Sequence, residues 1–231
     1  LYPKQDKEAL LTVRNVAENL KNKIIIPDLN SLSNIKFNLS KTRFTYEDED
    51  FEIKLLGIHQ IYNAITAISV VRELASLGMK ISNENIKLGL MNANFFSRLE
   101  IISREPLVIL DGAHNLDRAK VLAEAIKLYI GKKRIIAIVG MMKDKEVFKV
   151  LKEVAPLISE FVIVQSDNPR AMDKLELNEF VKKFNKNSIV AENLSIAVEM
   201  ALNKLDENSS LLVFGSLYLA SQIRPILLSF F

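Results

Sequence analysis

The sequence predicts an α/β protein that ends in a mostly parallel sheet. Short aliphatic segments recur after residue 94, at Leu107–Leu110, Arg134–Val139, Phe161–Gln165 and Leu211–Phe214. Segments with helical spacing of apolar residues separate or follow them, near 116–129, 145–155, 175–184, 193–205 and 217–228. Nearly continuous apolar strands that alternate with amphipathic helices are typical of a parallel sheet with helices on both faces, which is a Rossmann-like arrangement.

The first part of the chain shows a different pattern, in which a helix precedes several short strands. The apolar residues between Lys7 and Leu20 have helical spacing, and Lys23–Ile26 is predicted to be a strand. Alternation of apolar and polar residues predicts three more strands, at Ile35–Leu39, Thr42–Tyr46 and Phe51–Leu56. The acidic residues 47–50 are the predicted hairpin turn between the last two.

Two helices are predicted to follow these strands, at about 59–77 and 83–92. Ser82 is the predicted N-cap of the second helix, because its hydroxyl can accept a hydrogen bond from a first-turn amide. The pattern changes to regular strand–helix alternation after this helix. We therefore place a boundary near residues 93–97, with domains at 1–94 and 95–231.

Composition argues against several kinds of site and partner. The 231 residues include 31 Lys and Arg, 28 Asp and Glu, two histidines and no cysteine. Without cysteine there is no disulfide and no thiolate metal site. The net charge of +3 is small and dispersed, so we expect neither nucleic acid nor a membrane surface as a partner.

Targeting signals are also not evident in the sequence. No apolar run approaches the roughly 20 residues of a membrane span, and residues 1–8 lack the features of a signal peptide. These observations predict a cytoplasmic protein. The first residue is leucine rather than methionine, which suggests a piece of a longer chain.

Ligands of open parallel sheets bind outside the carboxyl ends of the strands. The segment Asp111-Gly112-Ala113-His114-Asn115 directly follows one predicted strand. Its glycine permits a tight turn, and Asn115 can cap the next helix. Asp111 and His114 would then face a crevice beside free helix amides, a setting that suits anions. Alternatively, Asp111 and Asn115 only satisfy backbone donors and His114 is a surface residue.

Three further loops follow predicted strands: Gly140–Lys145, Ser166–Arg170 and Gly215–Ser216. The lysines of the first loop could hold phosphate or carboxylate, and Arg170 could pair with a carboxylate. Ordinary turns with solvated charges explain the same residues.

Two polar residues outside these loops also have two interpretations. Asn63 lies in the apolar helix predicted at 59–77, where it could contact a ligand or bond to a loop. Arg98 lies near the predicted boundary, where it could line a cleft or form a salt bridge.

Six motifs occur along the chain in a fixed order: Gly57-x-His59-Gln60-x-x-Asn63-Ala64, Arg98-Leu99-Glu100, Asp111-Gly112-Ala113-His114-Asn115, Gly140-Met141-Met142-Lys143-Asp144-Lys145, Asn168-Pro169-Arg170 and Gly215-Ser216-Leu217-Tyr218. In this order they resemble the C-terminal half of the folylpolyglutamate synthases and dihydrofolate synthases of the Mur ligase superfamily. The resemblance runs from about residue 4 to the end.

The resemblance implies an ATP-dependent ligase that adds L-glutamate to folate or dihydropteroate. In that family ATP phosphorylates a carboxylate of the acceptor, the amine of glutamate attacks the acyl phosphate, and phosphate leaves as the amide forms. Such chemistry depends on positioning and on neutralising phosphate charge. The implied cofactors are ATP and Mg²⁺, and the implied partners are small-molecule substrates.

The resemblance also implies roles for individual residues. Asn63, Arg98 and Asp111 would contact ATP: Asn63 on the adenine side, Arg98 at a phosphate, and Asp111 at the ribose or a neighbouring cationic group. His114 would line the cleft where glutamate meets the acyl phosphate, so Asp111 and His114 are the expected catalytic residues. Ser216 would contact the incoming glutamate. No metal ligand is expected in this chain.

The chain departs from the family pattern in places. Phe96-Ser97 stands where members have Pro-Gly, Leu116 stands where they have proline, and Gly-x-x-x-x-Gly-Lys-Ser/Thr does not occur. The resemblance therefore implies that 1–94 is the tail of a P-loop ATPase domain and 95–231 the glutamate-ligase domain. The P-loop and most Mg²⁺ ligands would lie on a preceding part.

The fragment alone is expected to be inactive, and the full-length protein is expected to be a monomer. Two alternatives stay open: a Mur-type ligase for cell-wall precursors, and a non-catalytic nucleotide-binding module.

Overall fold

The computed structural model of the protein describes residues 1–231, which divide into two units, Leu1–Asn94 and Phe95–Phe231. The first unit contains an antiparallel sheet of three strands, β1 (Leu32–Phe37), β2 (Thr42–Tyr46) and β3 (Glu49–Ile53), in that order. Its helices are α1 (Lys7–Asn19), α2 (Ile58–Ser76) and α3 (Asn83–Asn92). Aromatic residues from the sheet and isoleucines from α2 and α3 form its core: Phe44, Tyr46, Phe51, Ile61, Ile65, Ile68 and Ile86.

Several sequence predictions for this unit are confirmed. Strand β2 has the predicted bounds, α1, α2 and α3 lie within two residues of theirs, and Ser82 caps α3 by accepting a hydrogen bond from the Asn85 amide. The predicted strand at Lys23–Ile26 is wrong, because none of its residues belongs to a sheet. A strand needs a neighbour to satisfy its ladder; here the Ile25 carbonyl instead accepts a hydrogen bond from the Leu1 amine, at 2.7 Å.

The hairpin between β2 and β3 is tighter than the acidic run suggested. Glu47 and Asp48 have φ values of 49° and 61°, and Tyr46 pairs directly with Glu49. Two consecutive residues with positive φ are typical of a type I′ turn, whose twist matches that of the strands. Strand β3 therefore begins two residues before the predicted Phe51, and β1 lies earlier than the predicted Ile35–Leu39.

The second unit contains a six-stranded sheet with the order β4-β5-β9-β6-β7-β8. The strands are β4 (Glu100–Arg104), β5 (Leu107–Leu110), β6 (Arg134–Val139), β7 (Glu160–Ile163), β8 (Ser188–Val190) and β9 (Ser209–Phe214). All pairs are parallel except β4 with β5. The mostly parallel sheet confirms the predicted fold class. The sequence did not predict β4 and β8, which lie at the two edges of the sheet and are only partly buried.

Five helices accompany this sheet: α4 (Leu116–Ala125), which continues as a π-helical segment (Ile126–Ile130), α5 (Val147–Val154), α6 (Lys174–Lys182), α7 (Leu194–Leu202) and α8 (Leu217–Leu228). Helices α4, α5 and α6 connect strands in one direction along the sheet, and α7 returns from β8 to β9. Since such crossovers are right-handed, α7 lies on the opposite face from α4, α5 and α6. It packs there with α8 on a core that includes Ile138, Val162, Val198 and Ile223.

This winding places three changes of face along the carboxyl edge of the sheet, one on either side of β9 and one between β7 and β8. Strand β9 leads into α8 on one face, while its neighbours β5 and β6 lead into α4 and α5 on the other. Strands β7 and β8 also lead to opposite faces, through α6 and α7. Crevices for ligands form where neighbouring connections diverge in this way. None of the helices combines the length and the apolar character needed to span a bilayer.

Candidate functional site

The segment Asp111–Asn115 lies at the first of these positions, directly after β5. The Asp111 amide donates to the Val213 carbonyl of β9 at 2.9 Å, which extends the sheet by one residue. The Asn115 side chain caps α4 by accepting a hydrogen bond from the Arg118 amide at 3.0 Å, as predicted. The segment is therefore fixed at both ends, by the sheet and by the helix.

The Asp111 carboxylate is buried and holds two backbone amides. Its Oδ2 accepts a hydrogen bond from the Leu99 amide at 2.8 Å, and its Oδ1 accepts one from the Ala113 amide at 2.7 Å. Burial raises the pKa of this carboxyl, while the two amides and the nearby charges of Arg98 and Arg118 act in the opposite direction. Asp111 therefore satisfies backbone donors, as one interpretation of the sequence predicted. One of these donors is the Leu99 amide.

The segment that Asp111 holds has an unusual backbone. Ser97 and Leu99 have φ values of 58° and 49°, in the left-handed region that non-glycine residues rarely adopt. The Gly112 amide donates to the Ser97 carbonyl at 2.8 Å, so both strained residues are tied to the segment after β5. Such strain persists only where surrounding contacts enforce it, and here it orients Arg98, the residue between them.

Arg98 carries an unsatisfied donor. Its Nη1 is buried and makes no hydrogen bond, and its guanidinium lies 5.7 Å from the centre of the Phe95 ring. Burial lowers the pKa of Arg98, the charge of Arg118 lowers it further, and Asp111 raises it. A buried donor without a partner is costly, so this atom is a candidate for binding an anion. Two arginines beside one carboxylate leave the surroundings positive, which fits a phosphate.

His114 has a defined hydrogen bond and a definite tautomer. Its Nδ1 lies 2.8 Å from the Gly112 carbonyl oxygen. Because a carbonyl only accepts, Nδ1 carries the proton in this contact, and Nε2 of the neutral ring is an acceptor. The side chain is partly buried.

Ser216 begins α8 beside this segment. Its buried Oγ caps the helix by accepting a hydrogen bond from the Leu219 amide at 3.0 Å. The next residue, Leu217, packs so closely on Gly112 that a Cβ there would lie 2.3 Å from Leu217 Cδ2. A side chain at position 112 would therefore require the Leu217 side chain to move aside. The predicted contact of Ser216 with glutamate stays a prediction.

Asn63 lies on α2 and belongs to the first unit, whereas the residues above belong to the second unit. Its side chain is exposed, and its Nδ2 donates to Gln60 Oε1 at 2.9 Å. The structure thus brings Arg98, Asp111, His114 and Ser216 together in one unit, while the predicted role of Asn63 in ATP binding stays a prediction.

The loops after β6 and β7 are joined to each other. The Lys143 amide donates to the Arg170 carbonyl at 2.9 Å, and the Met172 amide donates to the Met141 carbonyl at 2.8 Å. The Arg170 guanidinium donates to the Tyr218 hydroxyl at 3.2 Å and lies 3.9 Å from the Asp144 carboxylate. Both charged groups are largely exposed. Arg170 therefore has a hydrogen-bond partner in α8 and is not an unsatisfied donor.

Two contributors to the site escaped the sequence analysis. Arg118 lies in the first turn of α4 and acts on Asp111 and Arg98 through its charge. Its only signal in the sequence was its spacing of three residues from the predicted cap Asn115. Tyr218 belongs to a quoted motif, but its bond to Arg170 joins residues 48 positions apart.

No group of three or more His, Asp or Glu side chains in residues 1–231 is arranged to hold a metal ion. The donors at the site are cationic and amide groups, which suit the phosphates of a nucleotide rather than a metal ion.

A comparison with known protein families identifies the family of this chain. The family described as Mur ligase, glutamate ligase domain, matches residues 97–217, which is more than half of the chain. The chain belongs to the Mur ligase family. The matched region contains Arg98, Asp111, His114 and Ser216, and the resemblance drawn from the six motifs is confirmed.

Individual relatives of this Mur ligase chain have two kinds of name. The dihydrofolate synthase/folylpolyglutamate synthase of Bacillus subtilis is 31% identical over 177 residues, 76% of this chain and 41% of the relative. The UDP-N-acetylmuramoyl-L-alanyl-D-glutamate–2,6-diaminopimelate ligase of Caldanaerobacter subterraneus is 30% identical over 193 residues, 80% of this chain and 38% of the relative.

Solved structures agree with the fold. The Mycobacterium tuberculosis folylpolyglutamate synthase, solved in complexes with ADP and AMPPCP, aligns with a TM-score of 0.87 at 20% identity. The alignment covers 97% of this Mur ligase chain and 54% of that structure. The chain thus spans about half the length, or less, of the relatives it matches.

Proposed function

We propose that this chain is the C-terminal part of an ATP-dependent ligase that joins L-glutamate to folate or dihydropteroate. The observation that carries the proposal is the arrangement around Arg98: an unsatisfied buried guanidinium nitrogen, held by a strained segment that Asp111 fixes. Relatives named folylpolyglutamate synthase and dihydrofolate synthase supply the substrate class.

ATP, when bound, supplies the phosphoryl group that activates the acceptor carboxylate. Arg98 holds a phosphate through Nη1, and Arg118 adds positive charge beside it. Asp111 acts mainly on this segment: it accepts a hydrogen bond from the Leu99 amide on one side of Arg98, while the Gly112 amide next to Asp111 donates to the Ser97 carbonyl on the other side. Fixed cationic groups need no reorganisation when negative charge develops on a transferred phosphoryl group, so they favour the transfer.

His114 lies close enough to the same segment to act on the second half of the reaction. The amine of glutamate must lose protons as it forms the amide, and the Nε2 acceptor of His114 can take one. Ser216, at the start of α8, is proposed to contact the incoming glutamate. Asn63, on α2, is proposed to contact the adenine side of the nucleotide.

The two units have different proposed roles. Residues 95–231 form the glutamate-ligase domain, and residues 1–94 form the end of an ATPase domain. The 231 residues contain no Gly-x-x-x-x-Gly-Lys-Ser/Thr motif, so the proposal assigns the P-loop and the Mg²⁺ ligands to a further polypeptide segment.

A chimera tests the proposal: the N-terminal part of the Bacillus subtilis relative joined to this chain. We expect phosphate release that requires ATP, Mg²⁺, L-glutamate and either dihydropteroate or a reduced folate. Arg98→Met should lower kcat/KM by about 100-fold, which corresponds to losing a charged hydrogen bond of about 3 kcal/mol. Arg104→Met is the matched control, because Arg104 lies at the end of β4 that is farther from Arg98, and it should leave the rate unchanged.

The same assay distinguishes folate ligation from a second candidate function, the ligation of a cell-wall precursor. The relative from Caldanaerobacter subterraneus, at 30% identity, favours it. Phosphate release that depends on a UDP-linked muramoyl peptide and a diamino acid, but not on any pteroate, would replace the folate proposal. No release with either set of substrates, from a chimera shown to be folded, would refute both.

A further inference from the structure

Arg224 of α8 makes two contacts with the segment that carries Arg98. Its Nε donates a hydrogen bond to Glu100 Oε1 at 2.8 Å, and its guanidinium lies 4.3 Å from the centre of the Phe96 ring. The exposed fractions of the paired side chains are 14% for Glu100 and 29% for Arg224. Partly buried ion pairs are screened less than exposed ones, so this pair can hold a defined geometry.

Glu100 extends this anchoring to the backbone beside Arg98. Its second carboxylate oxygen, Oε2, accepts a hydrogen bond from the Ser97 amide at 2.9 Å. Ser97 is one of the two residues with positive φ in this segment, so its conformation needs contacts that enforce it. Arg224 binds one oxygen of the carboxylate and thereby orients the other toward the Ser97 amide.

Helix α8 gives Arg224 a firm support. Ile223, the preceding residue, is fully buried in the core of this unit. The same helix begins at Leu217, which packs on Gly112, and the Gly112 amide donates to the Ser97 carbonyl. One helix therefore acts on both backbone groups of Ser97, the carbonyl through its first residue and the amide through Arg224.

We propose that Arg224 and Glu100 are positioning residues for Arg98. They keep Phe96 and Ser97 in place, so that the Arg98 guanidinium is held with Nη1 unpaired and ready to bind a phosphate. This inference rests on the proposed role of Arg98 in the ligase reaction. A shift of the segment would move a fixed positive charge away from the transferred phosphoryl group, and small errors in position are costly in rate.

Amide hydrogen exchange of the 231-residue chain tests the positioning without nucleotide or folate. The Leu99 and Gly112 amides bond to or within the segment, but neither bonds to Arg224. In Arg224→Met we expect both amides to exchange about tenfold faster, because the segment opens locally more often. Exchange of the Ile136 amide, in the buried centre of β6, should change much less, which shows that the variant is folded.

Arg134→Met is the matched control for this experiment. Arg134 also pairs with a partly buried glutamate, at 2.7 Å from Glu160, but it lies at the start of β6, at the amino edge of the sheet. It should leave the exchange of Leu99 and Gly112 unchanged. Unchanged exchange of these amides in Arg224→Met, or equal acceleration at Ile136, would overturn the proposal.

Kinetics of the chimera separate positioning from a general structural role. Arg224→Met should lower kcat about tenfold and leave the KM for L-glutamate unchanged, because the displaced charge acts on phosphoryl transfer. In an Arg98→Met background the same change should have no further effect, since the group that it positions is absent. Equal losses in both backgrounds would overturn the proposal. An inactive chimera would count against the ligase proposal only, because the exchange rates still decide the positioning.

Discussion

Asp111 is an ionisable residue that folding removes from water. Burial raises the pKa of its carboxyl, although two backbone amides and two arginines oppose this. A carboxyl whose pKa is higher in the folded chain binds more protons there, between its unfolded and folded pKa values. The free energy of unfolding therefore includes a contribution that falls as pH rises above about 4 and becomes constant above the folded-state pKa.

Asp111→Asn should remove this contribution. We expect the unfolding free energy of the wild-type chain minus that of the variant to decrease as pH rises from about 4 towards neutrality. Urea unfolding at a series of pH values, extended into the acid range, measures this difference.

Asp206→Asn is the matched control for that experiment, with the opposite sign. A hydrogen bond from the Asn208 amide, helped by Ser209 and Arg134, lowers the pKa of the exposed Asp206 carboxyl. The corresponding difference should therefore increase with pH, in the range below about 4. A difference for Asp111→Asn that also increased with pH would contradict the assigned effect of burial.

The ends of the parallel strands approach one another so closely that glycine is required. Gly215, after β9, has a φ of 122°, and a Cβ there would lie 2.6 Å from the Gly140 carbonyl oxygen after β6. Gly112, after β5, faces the end of the Leu217 side chain instead. A side chain can move aside more easily than a backbone carbonyl, so the two glycines differ in how much they tolerate a methyl group.

Alanine substitutions should rank these positions. Gly215→Ala should lower the free energy of unfolding by about 2–4 kcal/mol, because it adds backbone strain to a clash with fixed backbone. Gly112→Ala should cost about 1–2 kcal/mol. Gly89→Ala in α3 is the control, because no atom lies within 4 Å of its added Cβ, and it should stabilise by up to about 1 kcal/mol. Equal losses at 112 and 215 would contradict this ranking.

The unit Phe95–Phe231 contains everything that a parallel α/β domain needs. Its sheet has helices on both faces, and the core beneath α7 and α8 comes entirely from residues of this unit. Such a unit buries its apolar surface without help from the rest of the chain.

We therefore expect residues 95–231 to fold when produced alone, with dispersed amide NMR signals and a cooperative urea transition. Ile136→Ala, in the fully buried centre of β6, should cost about 2–4 kcal/mol. Leu175→Ala is the control, since Leu175 is 62% exposed, and it should change stability by less than about 0.5 kcal/mol. A fragment without a cooperative transition would show that this unit depends on the remaining residues.

Local sequence was sufficient for much of the architecture. The bounds of β2, β5, β6 and α8 were predicted residue for residue, and the caps Ser82 and Asn115 were identified from their hydrogen-bonding chemistry. Each depends on residues close along the chain: a buried strand or helix has its own periodicity, and a cap bonds within three residues. Edge strands β4 and β8 are only partly buried, so their apolar pattern was too weak to detect.

The sequence also located the loops that carry Asp111, His114 and Ser216, because every parallel strand ends at the same edge of its sheet. Only the tertiary structure showed that Asp111 holds the Leu99 amide, that Arg98 Nη1 lacks a partner, and that α8 anchors Glu100. These features join residues that are distant in sequence. Neither periodicity nor capping chemistry records which distant groups the packing of a sheet and its helices brings together.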